Sequence, residues 1–115
     1  MSIVGSLLSK EIVRNQNMIV EYEKELSNLP KGSIKAKTIG RNTYYYLNYR
    51  DGKKVVSKYI GKDDESVNLV KEQLEKRHHI EQMLKQLKKE QEQIKKMEAL
   101  LWFYFTVAIW LSKSH

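Results

Sequence analysis

Residues 64–111 contain neither glycine nor proline, and this run of 48 residues constrains the fold more than any other feature of the sequence. Proline breaks helices and glycine weakens them, so a run of this length without either favours one long helix. The apolar residues in its second half recur every seven positions, which is the heptad spacing of coiled coils. These positions are Ile80, Leu87, Ile94 and Leu101. The sequence therefore predicts a long, coiled-coil-like helix in the C-terminal half.

A second helix is predicted at the N-terminus, over residues 1–29. Its apolar residues follow spacings of three and four and form a narrow seam. The seam begins with Leu8, Ile12 and Ile19. Asn15 occupies a seam position, and a polar residue there fixes register or partner number in coiled coils at some cost in stability. Pro30 then ends the helix. The two helices are expected to pair antiparallel through their seams, and a dimeric helical stalk is equally compatible.

Between the helices the pattern changes to that of a β-sheet. Aromatic and β-branched residues dominate residues 43–50 and return in residues 53–60, and Asp51-Gly52 between them is a type I′ turn signal. Residues 33–39 alternate in polarity and are joined to the hairpin by a tight link, which predicts a third strand. A hairpin closed on Asp51-Gly52 would place Leu47 opposite Val56.

The expected fold class is α+β within one domain. An N-terminal helix is followed by a three-stranded antiparallel meander and a long C-terminal helix, and the helices form an antiparallel hairpin or a coiled coil. The predicted boundaries of these three parts are 1–29, 30–62 and 63–115.

The positive charge of the chain is concentrated in the predicted sheet. The whole chain has 21 lysines and arginines against 14 acids, and residues 31–62 hold nine of these basic residues, one acid, and five of the seven tyrosines. Lysine and arginine neutralise phosphates while tyrosine rings offer stacking platforms for bases, so the segment favours binding of DNA or RNA. The predicted contacts are Lys35, Lys37, Arg41, Tyr44, Tyr46, Arg50, Lys53, Lys54 and Lys58.

Two other interpretations of this segment stay open. Small sheets use tyrosine for its strand propensity, and edge strands use lysine to block aggregation. Alternatively, the module binds a nucleoprotein complex, as an anti-CRISPR-like inhibitor from a phage or mobile element would bind a host nuclease or its guide RNA. A purely helical adaptor would leave the charge of the segment unexplained.

The sequence offers no catalytic site. The absence of cysteine excludes disulfides, thiol nucleophiles and cysteine-bound metals, and no phosphate-binding loop or serine nucleophile motif occurs. His78 and His79 are adjacent, so on a helix they point about 100° apart and cannot share a metal ion. We therefore expect a non-catalytic protein without metal or cofactor. The N-terminus lacks the pattern of a secretory signal, which favours the cytoplasm.

The C-terminal helix ends in thirteen uncharged residues, Ala99–Leu111. A helix needs about 20 residues to span a bilayer, so this segment is expected to pack against Ile3, Val4, Leu7 and Leu8, or against a second subunit. A membrane surface is a less favoured partner. The chain is therefore expected to form a homo-oligomer. The predicted oligomer or partner contacts are Leu8, Ile12, Ile19, Ile80, Leu87, Ile94, Leu101, Trp102, Phe105 and Trp110.

The residues from Leu29 to Lys62 carry two resemblances. The Pro30-Lys31-Gly32 turn followed by the tyrosine-rich hairpin resembles a family of small prokaryotic proteins of unknown function, in which a meander precedes a charged helix. The strand pair from Tyr44 to Ile60 is similar to N-terminal modules of some transposases and to the arm-binding domains of tyrosine recombinases, which lay a three-stranded sheet on DNA. This second resemblance implies DNA contacts from the same cations and tyrosines, and an origin in a mobile element.

Overall fold

Along the chain, a three-stranded antiparallel sheet lies between an N-terminal and a C-terminal helix. The structure is a computed structural model that describes residues 3–62 and 64–114. The elements are α1 (Ile3–Ser27), β1 (Ser33–Ile39), β2 (Asn42–Asp51), β3 (Lys54–Gly61) and α2 (Asp64–Lys113). The strands follow the order β1-β2-β3. The predicted α+β class and the β-hairpin are confirmed.

The turn of the second hairpin differs from the prediction. Gly52 has a φ of 64°, no described non-glycine residue has a positive φ, and Asp51 pairs with Lys54 as the last residue pair of the ladder. The central turn residues are therefore Gly52 and Lys53. Glycine with positive φ at the first central position alone is the signature of a type II′ turn. A type I′ turn on Asp51-Gly52 would have forced Asp51 into the left-handed region.

This turn shifts the pairing of β2 and β3 by two residues. Leu47 lies opposite Lys58, and Val56 lies opposite Tyr49. The predicted pairing of Leu47 with Val56 was therefore wrong. A shift of two residues preserves the alternation of faces, so each side chain stays on the side of the sheet that the sequence pattern assigned to it. A β-bulge follows at Tyr45 and Tyr46.

By its internal contacts the chain forms two compact units, and the first is the sheet unit, Lys24–Gln82. Its buried apolar side chains are Leu47, which is 7% exposed, with Val67 and Ile80 from α2. Only the side of the sheet that carries Leu47 contributes a buried residue to this core.

Arg77 of α2 caps the end of α1 within the sheet unit. Its Nη1 donates hydrogen bonds to the carbonyl oxygens of Leu26 at 3.2 Å and Leu29 at 3.1 Å. Its Nε also donates to Glu81 Oε1 at 2.9 Å, which orients the guanidinium. The Leu26 carbonyl also accepts from the Leu29 N–H at 3.2 Å, and Leu29 lies just beyond α1. The last carbonyls of a helix lack their usual helical partners, so Arg77 adds a charged donor there and complements the negative end of the helix dipole.

The helix unit comprises Met1–Glu23 and Met83–His115. Asn15 and Ile19 of α1 are buried together with Leu84 and Leu87 of α2. Asn15 Nδ2 donates to the carbonyl oxygen of Leu87 at 2.9 Å, so the predicted polar seam position contacts the backbone of α2.

The two helices of this unit run antiparallel. Asn15 contacts Leu87, while Ile12, one turn earlier on α1, borders the same cavity as Lys95 and Ala99, which come later on α2. An ion pair between Glu23 and Lys88, 3.3 Å long, adds a further contact between them. The antiparallel pairing expected from the seams is thus present within one chain.

The C-terminal apolar segment is not covered by the rest of the chain. Trp102 is 70% exposed, and Ile3, Val4 and Leu7 are exposed as well. The expectation that these two regions bury each other is therefore wrong. Each presents its apolar side chains outward, so the predictions of a second subunit and of a membrane surface as the partner both stay open.

Candidate nucleic-acid interface

One side of the sheet is exposed to solvent. Directly opposed residues of neighbouring strands share a face, so the pairs Lys37↔Tyr44, Lys35↔Tyr46 and Tyr46↔Tyr59 belong to one surface. This surface faces away from the side that carries the buried Leu47. We call it the open face. Its cations and aromatic residues are Lys35, Lys37, Tyr44, Tyr46, Arg50 and Tyr59, and Asn48, Val55 and Ser57 share the same side.

Three tyrosines form a cluster at the centre of the open face. The ring centroid of Tyr59 lies 5.5 Å from that of Tyr46 and 6.4 Å from that of Tyr44, with tilted ring planes in both pairs. Such tilted contacts are favourable geometries for aromatic rings. Tyr59 is 51% exposed, whereas Tyr44 and Tyr46 are half-buried. Tyr59 is therefore the ring most open to a ligand.

Cations surround the tyrosine cluster. The Lys62 Nζ atom lies 5.9 Å from the centroid of the Tyr44 ring, within the range of a cation–π contact. Lys35, Lys37 and Arg50 are exposed. Within residues 3–62 and 64–114, none of these four side chains takes part in an ion pair. Their charges are therefore available to an anionic ligand.

The predicted nucleic-acid contacts divide between the two sides of the sheet. Five lie on the open face, namely Lys35, Lys37, Tyr44, Tyr46 and Arg50. Arg41 and Lys53 occupy the two turns at opposite ends of β2. Lys54 and Lys58 lie on the side that carries Leu47, since Lys58 is directly opposite Leu47. No surface brings all nine residues together.

Two residues of the interface were missing from the predicted set. Tyr59 lies opposite Tyr46, and the alternation of β3 could have placed it there. Lys62 follows the last strand, where no periodic pattern indicates which way a side chain points. Its position over Tyr44 emerges only from the folded backbone.

The predicted oligomer contacts divide by exposure. Ile19, Ile80 and Leu87 are buried within the chain itself, and Leu8, Ile12 and Ile94 are half-buried. The exposed members are Leu101, Trp102, Phe105 and Trp110. Only this last group offers an extensive surface to another molecule.

Two other kinds of site are absent from the part of the chain that the structure describes. No group of three His, Asp or Glu side chains could hold a metal ion there. No helix within residues 3–62 and 64–114 has the length and hydropathy that crossing a membrane requires.

The sheet lies within a region that the chain shares with other proteins. Residues 9–69, more than half of the chain, match a family described as a domain of unknown function, DUF6788. The chain belongs to this family. The match starts further towards the N-terminus than the resemblance stated above and ends at Leu69, early in α2.

The family match includes the open face but excludes the apolar segment. No curated protein and no solved structure shows a significant match to the chain. These comparisons show no likeness to the modules of transposases or tyrosine recombinases.

Proposed function

We propose that the protein binds nucleic acid through the open face. The observation that supports this most strongly is the combination of unpaired cations with a tyrosine cluster on one exposed surface. Lys35 and Lys37 lie in the same cross-strand rows as Tyr46 and Tyr44. Because lysine neutralises phosphates and exposed tyrosine rings stack on bases, a bound strand would meet both kinds of contact within one row.

The residues of the open face have separate functions in this proposal. Lys35, Lys37 and Arg50 contact phosphates, and Tyr59 carries a stacked base because it is the most exposed ring of the cluster. Tyr44 and Tyr46 hold the Tyr59 ring in place through their tilted ring contacts. Contacts to phosphates and to the faces of bases carry little sequence information, so binding is expected to tolerate many sequences.

A salt titration tests the proposal. Binding of labelled single-stranded DNA, duplex DNA and single-stranded RNA is measured by fluorescence anisotropy from about 50 to 300 mM salt. The slope of log affinity against log salt reports the number of phosphate contacts, and removal of one phosphate-binding cation reduces it by about one. For K35Q/K37Q we expect weaker binding and a slope smaller by about two. Undetectable binding of all three probes at low salt would contradict the proposal. A flat salt response would instead favour a protein partner, the function predicted above as the alternative.

A further inference from the structure

Every residue of the apolar segment, residues 99–111, is exposed except Val107, which is half-buried. Successive helical residues point about 100° apart, so consecutive exposed residues cover every direction. Trp102 is 70% exposed and Phe105 is 67% exposed, and Phe103 and Tyr104 between them are exposed as well. The hydroxyl of Thr106 donates to the carbonyl oxygen of Trp102 at 2.7 Å, so it provides no free polar face. A helix that is apolar on all sides is normally buried.

The exposed apolar area reaches the upper end of the range for monomers and approaches the area that one partner contributes to an interface. Aromatic side chains bury about 150–250 Å² each in cores, so the five exposed aromatic residues of the segment present on the order of 600 Å². The exposed leucines Leu100 and Leu111 add to this area. The largest apolar patch on a typical monomer is about 300–600 Å², whereas each partner of a standard interface contributes about 800 Å². The segment therefore resembles half of an interface.

A lipid bilayer fits this segment less well than protein does. Thirteen helical residues extend about 20 Å, which is short of the hydrocarbon thickness of about 30 Å. A helix that lies on a membrane surface needs a polar face towards water, and the segment has none. A protein partner can surround the helix on the sides that its own chain leaves open.

The charges that flank the segment are complementary to those of a second copy. Glu98 precedes the segment and Lys113 follows it, and neither takes part in an ion pair among residues 3–62 and 64–114. If two copies of α2 cross antiparallel at the middle of the segment, Glu98 of each copy meets Lys113 of the other. A parallel pair would set like charges side by side.

We infer that the chain forms a two-fold symmetric dimer in which the apolar segments of two copies pack antiparallel. The exposed Ile3, Val4 and Leu7 at the start of α1 lie in the same helix unit and add a second apolar surface from each copy. Two helices from each copy would then bury their apolar sides as a four-helix bundle, which is a common architecture for antiparallel helices. This inference is independent of the proposed nucleic-acid binding.

The size of the full-length protein in solution tests the inference. Light scattering coupled to gel filtration is expected to give twice the chain mass of 13.6 kDa at micromolar concentration. F105E should give the single-chain mass throughout this range, while F105L, which keeps an apolar side chain, should remain dimeric. Phe105 is 67% exposed in one chain, so far-UV circular dichroism of F105E should keep its helical content. A wild-type protein with the single-chain mass would overturn the inference.

A charge exchange tests the antiparallel direction. E98K or K113E alone places like charges opposite each other at both ends of the paired segments. We expect the dissociation constant of the dimer to rise about tenfold at low salt. The double variant E98K/K113E restores complementary charges and should return to the wild-type value. A double variant no better than the single ones would exclude this arrangement. Co-sedimentation of single-chain wild-type protein with phosphatidylcholine vesicles would assign the segment to a membrane instead.

Discussion

In the sheet unit the apolar Leu47 is 7% exposed and the cations lie on the surface. In the helix unit the polar Asn15 is only 4% exposed, whereas the apolar Trp102 is 70% exposed. Folded domains ordinarily bury apolar side chains and expose charged ones, and the sheet unit follows this distribution. The helix unit departs from it twice, because it buries a polar side chain and exposes large apolar ones. The buried Asn15 Oδ1 has no hydrogen-bond partner among the described residues, which is rare for a buried polar atom.

The two units therefore differ in how much apolar area each buries within a single chain. The sheet unit buries Leu47, Val67 and Ile80 in its core, and its surface carries cations with scattered apolar side chains such as Val55, which is ordinary for a folded domain. The helix unit presents apolar area that stays unfavourable in water until another molecule covers it. The surface proposed to bind nucleic acid and the surface proposed to form the dimer thus lie in different parts of the chain. The following changes test that distinction.

The largest effect on stability is expected in the core of the sheet unit. L47A removes a buried side chain and should lower the free energy of unfolding by about 3 kcal/mol, measured by urea denaturation. The matched control is V55A on the opposite side of the sheet, where Val55 is 67% exposed and truncation should cost less than about 0.5 kcal/mol. Equal losses in the two variants would mean that the Leu47 side of the sheet is not the core.

The Arg77 cap should contribute the next largest effect. R77A removes the charged donor shared by the carbonyl oxygens of Leu26 and Leu29 and leaves Leu26 with only the Leu29 amide as donor. It should cost about 2 kcal/mol, because hydrogen bonds from a charged donor are among the stronger ones. K76A, which breaks an exposed ion pair with Glu25, serves as the control and should cost less than about 1 kcal/mol. A larger loss in K76A than in R77A would show that the cap does not stabilise the sheet unit.

Substitution of Tyr59 tests the function of the open face. Y59A should weaken binding of single-stranded nucleic acid about tenfold, since stacking on an aromatic side chain is worth about 1–3 kcal/mol per base. Y59F keeps the ring and should bind within about twofold of wild type, because the face of the ring and not its hydroxyl makes the contact. Unchanged affinity in Y59A would remove Tyr59 from the binding surface.

The smallest expected effect has the opposite sign. N15L removes the unpaired Oδ1 from the interior of the helix unit and should raise the free energy of unfolding by about 1 kcal/mol. The control N17L changes an exposed residue of the same helix and should gain only about 0.3–0.5 kcal/mol from helix propensity. A loss of stability in N15L would mean that the hydrogen bond to Leu87 outweighs the unpaired oxygen.

The elements of the fold could be predicted because their signals are local. The run without glycine or proline gives α2, and the alternation of residues 33–39 gives β1 with the bounds that the structure shows. The turn was predicted with the wrong type because the same residues allow two turns. Asp51-Gly52 can be the central pair of a type I′ turn, and Gly52-Lys53 can be the central pair of a type II′ turn, so the choice depends on whether Asp51 takes a positive φ. It does not.

The details that define the interface depend on the folded chain. Both sides of the sheet carry lysines, so charge alone could not separate Lys35 from Lys58, which lies opposite the buried Leu47. Arg77 reaches α1 from a distant part of the sequence, and no pattern within α2 distinguishes it from neighbouring cations. The sequence could not predict that Trp102 is exposed within one chain either, because an apolar run predicts burial without identifying what covers it.

The most direct test of nucleic-acid binding by the open face compares two charge-matched variants. K35Q/K37Q and K54Q/K58Q remove the same charge from opposite sides of one sheet, so long-range electrostatics changes equally in both. We expect K35Q/K37Q to weaken binding of labelled single-stranded DNA and RNA about tenfold or more, and K54Q/K58Q to weaken it less than about threefold. Equal losses, or a greater loss in K54Q/K58Q, would contradict the assignment of the open face.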